Sequence, residues 1–366
     1  VKIPVCEPKL SGKELEYVTD CIKTNWISSK GKYITEFEER FSRYCGAKYG
    51  IATCNGTAAL HLALASLGIG PGDEVICPSF SMIATANSIT YTGAKPVLVD
   101  SEPETWNIDP SKIEEKITDR TKAIMVMHTY GHPCNMDPIL EIAEKHDLYV
   151  IEDAAEAHGA EYRGRKVGGI GDAGCFSFYA NKIIITGEGG MVVTSDEKIA
   201  EMCRLLRDQA FEPKRFLHRY IGFNYRMTNL QAAIGVAQMD IIDESVETRR
   251  RNARLYNSLL RDVGGITLPP EAPWAKNVYW MYTVLVEDSF GMSRDELMEF
   301  LKERGIETRS AFYPIHVQPV YAEKYRGERY PVAEEIGRKG INLPSGNTLT
   351  NDQIRFIAET IASARR

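Results

Sequence analysis

Residues 122–153 read KAIMVMHTYGHPCNMDPILEIAEKHDLYVIED, and the succession of patterns inside this stretch decides the fold. An unbroken apolar run, KAIMVMH (122–128), leads through a turn into MDPILEIAEKHD (136–147), whose apolar residues recur at helical spacing; a second run, LYVIED (148–153), follows at once. Strand, helix, strand is the repeat of a parallel sheet, whose strands are buried on both faces and therefore read as continuous hydrophobicity. Outward from here the alternation holds from about residue 50 to 195, with YGIATC (49–54), EVICP (74–78), KPVLVD (95–100), CFSFY (175–179) and GMVVTS (190–195) as further strands and TAALHLALASLG (57–68) as a helix. The expected fold class is α/β, a mostly parallel sheet flanked by helices.

After Asp240 the texture changes. DIIDESVETRRRNARLYNSLLRD (240–262) reads as a long connecting helix with Arg249, Arg250 and Arg251 on its solvent face, and a Gly/Pro-rich stretch (264–273) separates it from a smaller α+β region. That region holds a strand in YWMYTVLVE (279–287), a helix in SRDELMEFLKERG (293–305) and a final helix with a Thr350/Gln353 capping box. The expected units are 1–242, an N-terminal segment with the large α/β domain, and 243–366, the linking helix with the small domain.

With 366 residues, 43% hydrophobic and 26% charged, the chain is long enough for two packed units. A net charge of −6 and no long basic run argue against a nucleic-acid groove. No apolar run approaches the roughly 18 residues that span a bilayer, and VKIPVCEPKL lacks the apolar core of a signal peptide, so no membrane association and a cytoplasmic location are expected. The eight cysteines are scattered without a C-x-x-C, which indicates neither a disulfide framework nor a zinc site.

Three features carry chemistry. In CNGTAALHLAL (54–64) a strand gives way to a helix start whose unpaired N–H groups, with Gly56 allowing close approach, suit a phosphate; a capped helix without ligand reads the same way. YVIEDAAEAHG (149–159) ends a buried strand in Glu152 and Asp153, at the sheet edge where α/β ligands bind; there a carboxylate serves either as helix cap or as partner of a protonated pyridine nitrogen. SFYANKIIITGEGG (177–190) places Lys182 after a strand, near the same edge, where desolvation favours a nucleophilic amine; alone, such a lysine is ordinary surface charge. Together these are the three anchors pyridoxal phosphate requires, with Phe80 available to stack on its ring. Two motifs are set aside. GGIGDAG (168–174) has G-x-G-x-x-G spacing but precedes a strand, which fails the dinucleotide context, and HTYGHPC (128–134) contains Gly and Pro that break the helical geometry a metal site needs.

Across nearly the whole chain, through NWISSKGKYITEFEE (25–39), NGTAALHLAL (55–64), IEDAAEAHGA (151–160), SFYANKIIITGEGGMVVT (177–194), GFNYRMTNLQAAIG (222–235), ETRSAFYPIH (307–316) and GINLPS (340–345), the sequence resembles the sugar-nucleotide aminotransferases, the DegT-like branch of fold-type I pyridoxal-phosphate enzymes. The resemblance implies that Lys182 attaches the cofactor, Asp153 pairs with the pyridine nitrogen, Glu156 contacts the ring hydroxyl, Gly56, Thr57 and Ser177 bind the phosphate and Phe80 covers the ring. It also implies that Asn224 reaches the partner's phosphate in a homodimer with shared active sites. Branches that dehydrate the sugar carry histidine where this chain has Lys182, so amino transfer is the implied reaction, from glutamate to C4 of a nucleotide-linked 4-keto-6-deoxy sugar such as GDP-4-keto-6-deoxymannose. The alternatives are a UDP- or dTDP-linked ketosugar and, from another class, a non-catalytic pyridoxal-phosphate-binding regulator. Trp26, Ser28, Tyr179, Tyr313 and His316 are candidates for the sugar pocket, each equally open to a structural role, and Arg226 or Arg309 for the donor's carboxylate, where a surface or structural ion pair is the favoured reading. Tyr179-Ala180, beside the lysine, depart from the Phe or His and Gly of many relatives.

Overall fold

In the computed structural model, which describes residues 2–214 and 216–365, seven strands form the central sheet. They are β1 (Tyr49–Thr53), β2 (Glu74–Pro78), β3 (Lys95–Val99), β4 (Thr121–Met127), β5 (Tyr149–Asp153), β6 (Ala173–Ser177) and β7 (Gly190–Thr194), in the spatial order β1-β7-β6-β5-β4-β2-β3. All neighbours pair in parallel except β7, which runs antiparallel to both β1 and β6. Because β7 alone is reversed, the carboxyl ends of β1, β5 and β6 share one sheet edge, and the segment joining β6 to β7 crosses it.

Eight helices surround this sheet and lead away from it: α1 (Glu14–Lys23), α2 (Lys32–Tyr44), α3 (Gly56–Ser66), α4 (Ile83–Tyr91), α5 (Met136–His146), α6 (Glu197–Arg207), α7 (Asn229–Met239) and α8 (Ile242–Leu260). On one face α3, buried along almost its whole length, lies against β6 and β7 between α4 and α6, which explains why its sequence is apolar all round. On the other face Phe176 and Phe178 pack on Phe37 and Phe41 of α2. This alternation around β6 sends Ser177 to the α3 side.

A second, antiparallel sheet contains Tyr282–Val286 between Ile266–Thr267 and Gly340–Leu343, with Arg309–Ser310 on the outside. Its hydrophobic cluster draws on Tyr256 and Leu260 of α8, Leu297 and Ile357, and also on Ile3, whose main chain bridges Ile306. The final helix, Asn351–Ala364, carries the expected Thr350/Gln353 capping box.

Three expectations change. The strand expected at 175–179 lies at Ala173–Ser177, since beyond Ser177 the chain turns away from the ladder. The strand expected from residue 279 begins at Tyr282, because Tyr279 adopts φ +47° and turns the chain first. Arg249 is not on a solvent face: it is 2% exposed. Among the described residues, no helix is long and apolar enough to cross a membrane.

Candidate active site

Gly56, Thr57, Asp153, Glu156, Ser177, Tyr179, Lys182 and Arg309 line one cavity of about 630 Å³ at the shared sheet edge. Each arrives by a separate route. Asn55 caps α3 by accepting the Ala58 N–H at 2.8 Å, and the first turn, Gly56 to Ala58, borders the cavity. Gly56 is required by close approach: a Cβ there would lie 2.7 Å from the Ser177 Cβ, so the glycine lets the helix start sit directly beside the end of β6.

Asp153 ends β5 and is 3% exposed. Its Oδ2 accepts from the Thr85 hydroxyl at 2.7 Å and its Oδ1 from the Ala155 N–H at 3.2 Å. Burial raises the carboxyl's pKa, and these two bonds offset it only in part. Among the described residues no cation pairs with it at ion-pair distance.

Lys182 follows Ser177 in the crossing segment, where its N–H donates to the Tyr179 carbonyl at 2.9 Å. The β-branched run after it is not a strand: Ile183, Ile184 and Ile185 are buried loop residues that wedge the lysine against the sheet. The Lys182 side chain is 11% exposed, its Nζ 3.9 Å from Glu156 Oε1 and 3.7 Å from the centre of the Trp280 ring. Burial lowers the amine's pKa, opposed by the charges of Glu156 and Asp153. Burial raises that of Glu156, partly countered by Lys182 and reinforced by Asp153, while its Oε2 accepts the Tyr130 N–H at 3.0 Å. A desolvated amine beside two desolvated carboxyls is a nucleophile and proton carrier held ready.

These residues fit pyridoxal phosphate. The helix start beside Ser177 suits its phosphate, the buried carboxyl of Asp153 lacks the cation that a pyridinium N–H would supply, and Lys182 would offer the amine for its aldehyde.

Other expected residues lie elsewhere. Phe80 is fully buried behind the site, packed on Tyr130 and Phe312, and it is Met82, two residues on, that borders the cavity. The reason is register: Phe80 continues inward from β2, whereas Met82 begins the turn into α4. His316 sits in a buried chain, its Nδ1 2.8 Å from Ser79 Oγ and its Nε2 3.2 Å from Glu334 Oε1, outside the cavity. Tyr313 is exposed and also outside it. Trp26 borders a separate surface cavity with Asp20 and Lys32, and the main-chain carbonyls of Trp26 and Ser28 accept from Asn229. Asn224 is exposed, bridged to Asp208, and does not border its own chain's cavity. Arg226 is committed to Asp208, leaving Arg309 in the cavity.

The motifs set aside in the sequence have a structural use. Glu152, fully buried, accepts the N–H groups of Gly168, Ile170 and Gly171 at 2.7–2.8 Å and faces His128 Nε2 at 3.0 Å. His128 Nδ1 accepts the Cys134 N–H, which turns Nε2 toward the carboxylate. The glycine loop is thus folded around a carboxylate of its own chain. Burial pushes the Glu152 carboxyl up, but His128 and the loop amides outweigh it and hold it below the usual range.

Sequence reasoning missed Trp280, Met82, Thr85 and Asn181. Only Met82 had a signal, its place in the loop after β2.

Residues 8–362 match the DegT/DnrJ/EryC1/StrS aminotransferase family. The chain is 51% identical to the GDP-perosamine synthase of Caulobacter vibrioides and 47% to that of Escherichia coli O157:H7, each over 98% of this chain and 97% of the relative. The crystal structure of DesV from S. venezuelae superimposes with a TM-score of 0.94 at 35% identity, covering 100% of this chain and 99% of that one. The chain therefore belongs to the DegT/DnrJ/EryC1/StrS aminotransferase family and is a pyridoxal-phosphate-dependent aminotransferase.

Proposed function

We propose that the enzyme moves an amino group from glutamate to C4 of GDP-4-keto-6-deoxymannose, giving GDP-perosamine. Full-length likeness to two synthases of that product carries the reading, and a lysine at 182, where dehydrating branches have histidine, is in keeping with it. The bound cofactor supplies an aldehyde carbon for amines and a ring that accepts the electron pair left when a C–H bond breaks. The remaining work falls to the protein. Asp153, held by Thr85 and the Ala155 N–H, would face the ring nitrogen and share its proton. Lys182 would hold the cofactor through its amine, and when free its Nζ, with the Glu156 carboxyl 3.9 Å away as proton partner, would be the group that carries the proton taken from the donor's α-carbon. Arg309, which borders the cavity and has no carboxylate partner among the described residues, receives the α-carboxylate, and the half-exposed Tyr179 meets the sugar.

The enzyme works as a cytoplasmic homodimer, in which the exposed Asn224 completes the phosphate site of the partner. The test is holoenzyme absorbance in the visible. Glutamate should bleach the band and GDP-4-keto-6-deoxymannose restore it, with GDP-perosamine as product; recovery with a UDP- or dTDP-ketosugar alone would reassign the nucleotide, and a band indifferent to glutamate would indicate another donor or a regulator. K182A should lower turnover by at least about a thousandfold.

A further inference from the structure

Arg249 belongs to a run of three arginines, yet it is buried. Helical spacing explains this. Ile242, Val246, Ala253, Tyr256 and Leu260 form the buried stripe of α8, and Arg249 falls on it, three residues after Val246 and four before Ala253. Its Nη1 donates to the carbonyls of Trp280 at 2.6 Å and Ser345 at 3.2 Å, and its Nη2 lies 3.6 Å from Cys6 Sγ. Its Nε is buried without a partner, and among the described residues no carboxylate pairs with the guanidinium. A buried cation compensated only by neutral dipoles is a costly arrangement that an apolar side chain of similar size would avoid.

What it holds lies against the catalytic amine. The Trp280 indole packs on Lys182 Nζ, and its Nε1 donates at 2.9 Å to the carbonyl of Asn181, the residue before the lysine. Trp280 follows Tyr279, whose positive φ is an unfavourable conformation for a bulky residue and persists only where neighbouring structure holds it. The Arg249 bond to the Trp280 carbonyl fixes one of them.

We propose that Arg249 is a positioning residue for amino transfer: it anchors the Trp280 main chain, and through it the indole against Lys182 Nζ, and it sets a buried positive charge behind that amine. The proposal rests on Lys182 being the reactive amine. The groups acting on Lys182 are Glu156, Asp153 and Cys6, which favour the ammonium, and Arg249, which disfavours it; the neutral ring of His158 is a further neighbour. Without Arg249 the carboxyls act less opposed, and the amine should hold its proton to higher pH.

The test compares R249M and R249K with wild type in full-length protein. In cofactor-free protein, the pH dependence of Lys182 acetylation by acetic anhydride, read by mass spectrometry of its peptide, should move to higher pH in R249M, with a slower rate at every pH below the wild-type midpoint. In the holoenzyme, R249M should lower kcat by about tenfold with KM for the sugar nucleotide unchanged, its pH profile displaced in the same direction. R249K keeps the charge, but its shorter side chain ends before the position of Nη1 and loosens the bonds to the Trp280 and Ser345 carbonyls, so its acetylation midpoint should match wild type while kcat falls several-fold. A folded R249M with the wild-type midpoint and pH profile overturns the proposal. If R249M does not fold, R249K decides, and an unchanged kcat there overturns it. Failure of the underlying reading has a separate signature, full turnover by K182A.

Discussion

Thr85 Oγ1 donates a 2.7 Å hydrogen bond to Asp153 Oδ2, so a residue of α4 helps to determine the charge at the carboxyl end of β5. The bond matters because burial pushes this carboxyl toward protonation and the Thr85 hydroxyl is the strongest influence opposing it. T85V keeps the shape and removes the donor. A hydrogen bond to a charged group is worth about 1.5–3 kcal/mol, so the Kd for pyridoxal phosphate should rise by at least about tenfold with little change in Tm. Absorbance titration of cofactor-free protein checks it, and wild-type affinity would mean that Asp153 keeps its charge without Thr85.

Gly56 has no room for a side chain. In G56A the new Cβ must clear the Ser177 Cβ, 2.7 Å away in the present geometry, and relief requires the start of α3 and the end of β6 to part. Since both border the end of the cavity proposed for the phosphate, cofactor affinity should drop by about tenfold or more, whereas a surface helix start would gain a few tenths of a kcal/mol from the same change. Equal affinity in G56A would show that the phosphate does not sit between these two elements.

Phe80 and Met82 separate packing from binding. F80A empties a fully buried site against Tyr130 and Phe312 and should cost about 3–5 kcal/mol, read as a large fall in Tm. M82A removes a half-exposed thioether at the cavity wall and should leave Tm within a few degrees while weakening cofactor binding several-fold. The opposite pairing of effects would restore Phe80 as the residue over the ring.

The same contrast explains what sequence could convey. Lys182, Asp153 and Gly56 could be brought together from the sequence because each lies at or soon after the end of a strand whose continuous hydrophobicity is visible, and strand ends at one sheet edge converge by topology, whereas Ser177, expected in the middle of a strand at 175–179, was named only by the family resemblance. Trp280 was not, because its position depends on the positive φ of Tyr279 inside a run that looks like strand from its first residue. Phe80 was misplaced because an aromatic two positions before the cavity wall satisfies the same compositional cue as one on it. Arg249 is intermediate: its charge suggests solvent, but its place on the stripe from Ile242 to Leu260 was written in the spacing, and there periodicity outweighs residue type.

His158 carries the pH dependence that stability should show. Its ring is enclosed by Phe41, Phe176 and Phe178, and neither nitrogen makes a hydrogen bond of good geometry, the Ser177 main chain being the nearest help. Burial, reinforced by the charge of Lys182, lowers its pKa to about 3 from 6.5. Below pH 6.5 the unfolded chain therefore binds a proton that the folded chain refuses. Stability contributed by the neutral ring is fully present above pH 6.5 and is lost as the pH falls from there toward 3. For this one group, the loss between pH 7.5 and 5.5 is about 1.4 kcal/mol. H158F replaces the ring with an apolar one of similar size and removes two poorly satisfied nitrogens. It should be more stable by about 1–2 kcal/mol at pH 7.5 and lose correspondingly less on acidification. Urea unfolding of both proteins at the two pH values decides the matter. Parallel losses in wild type and H158F would show that the His158 nitrogens are satisfied in the folded protein and that its acid sensitivity arises at another group.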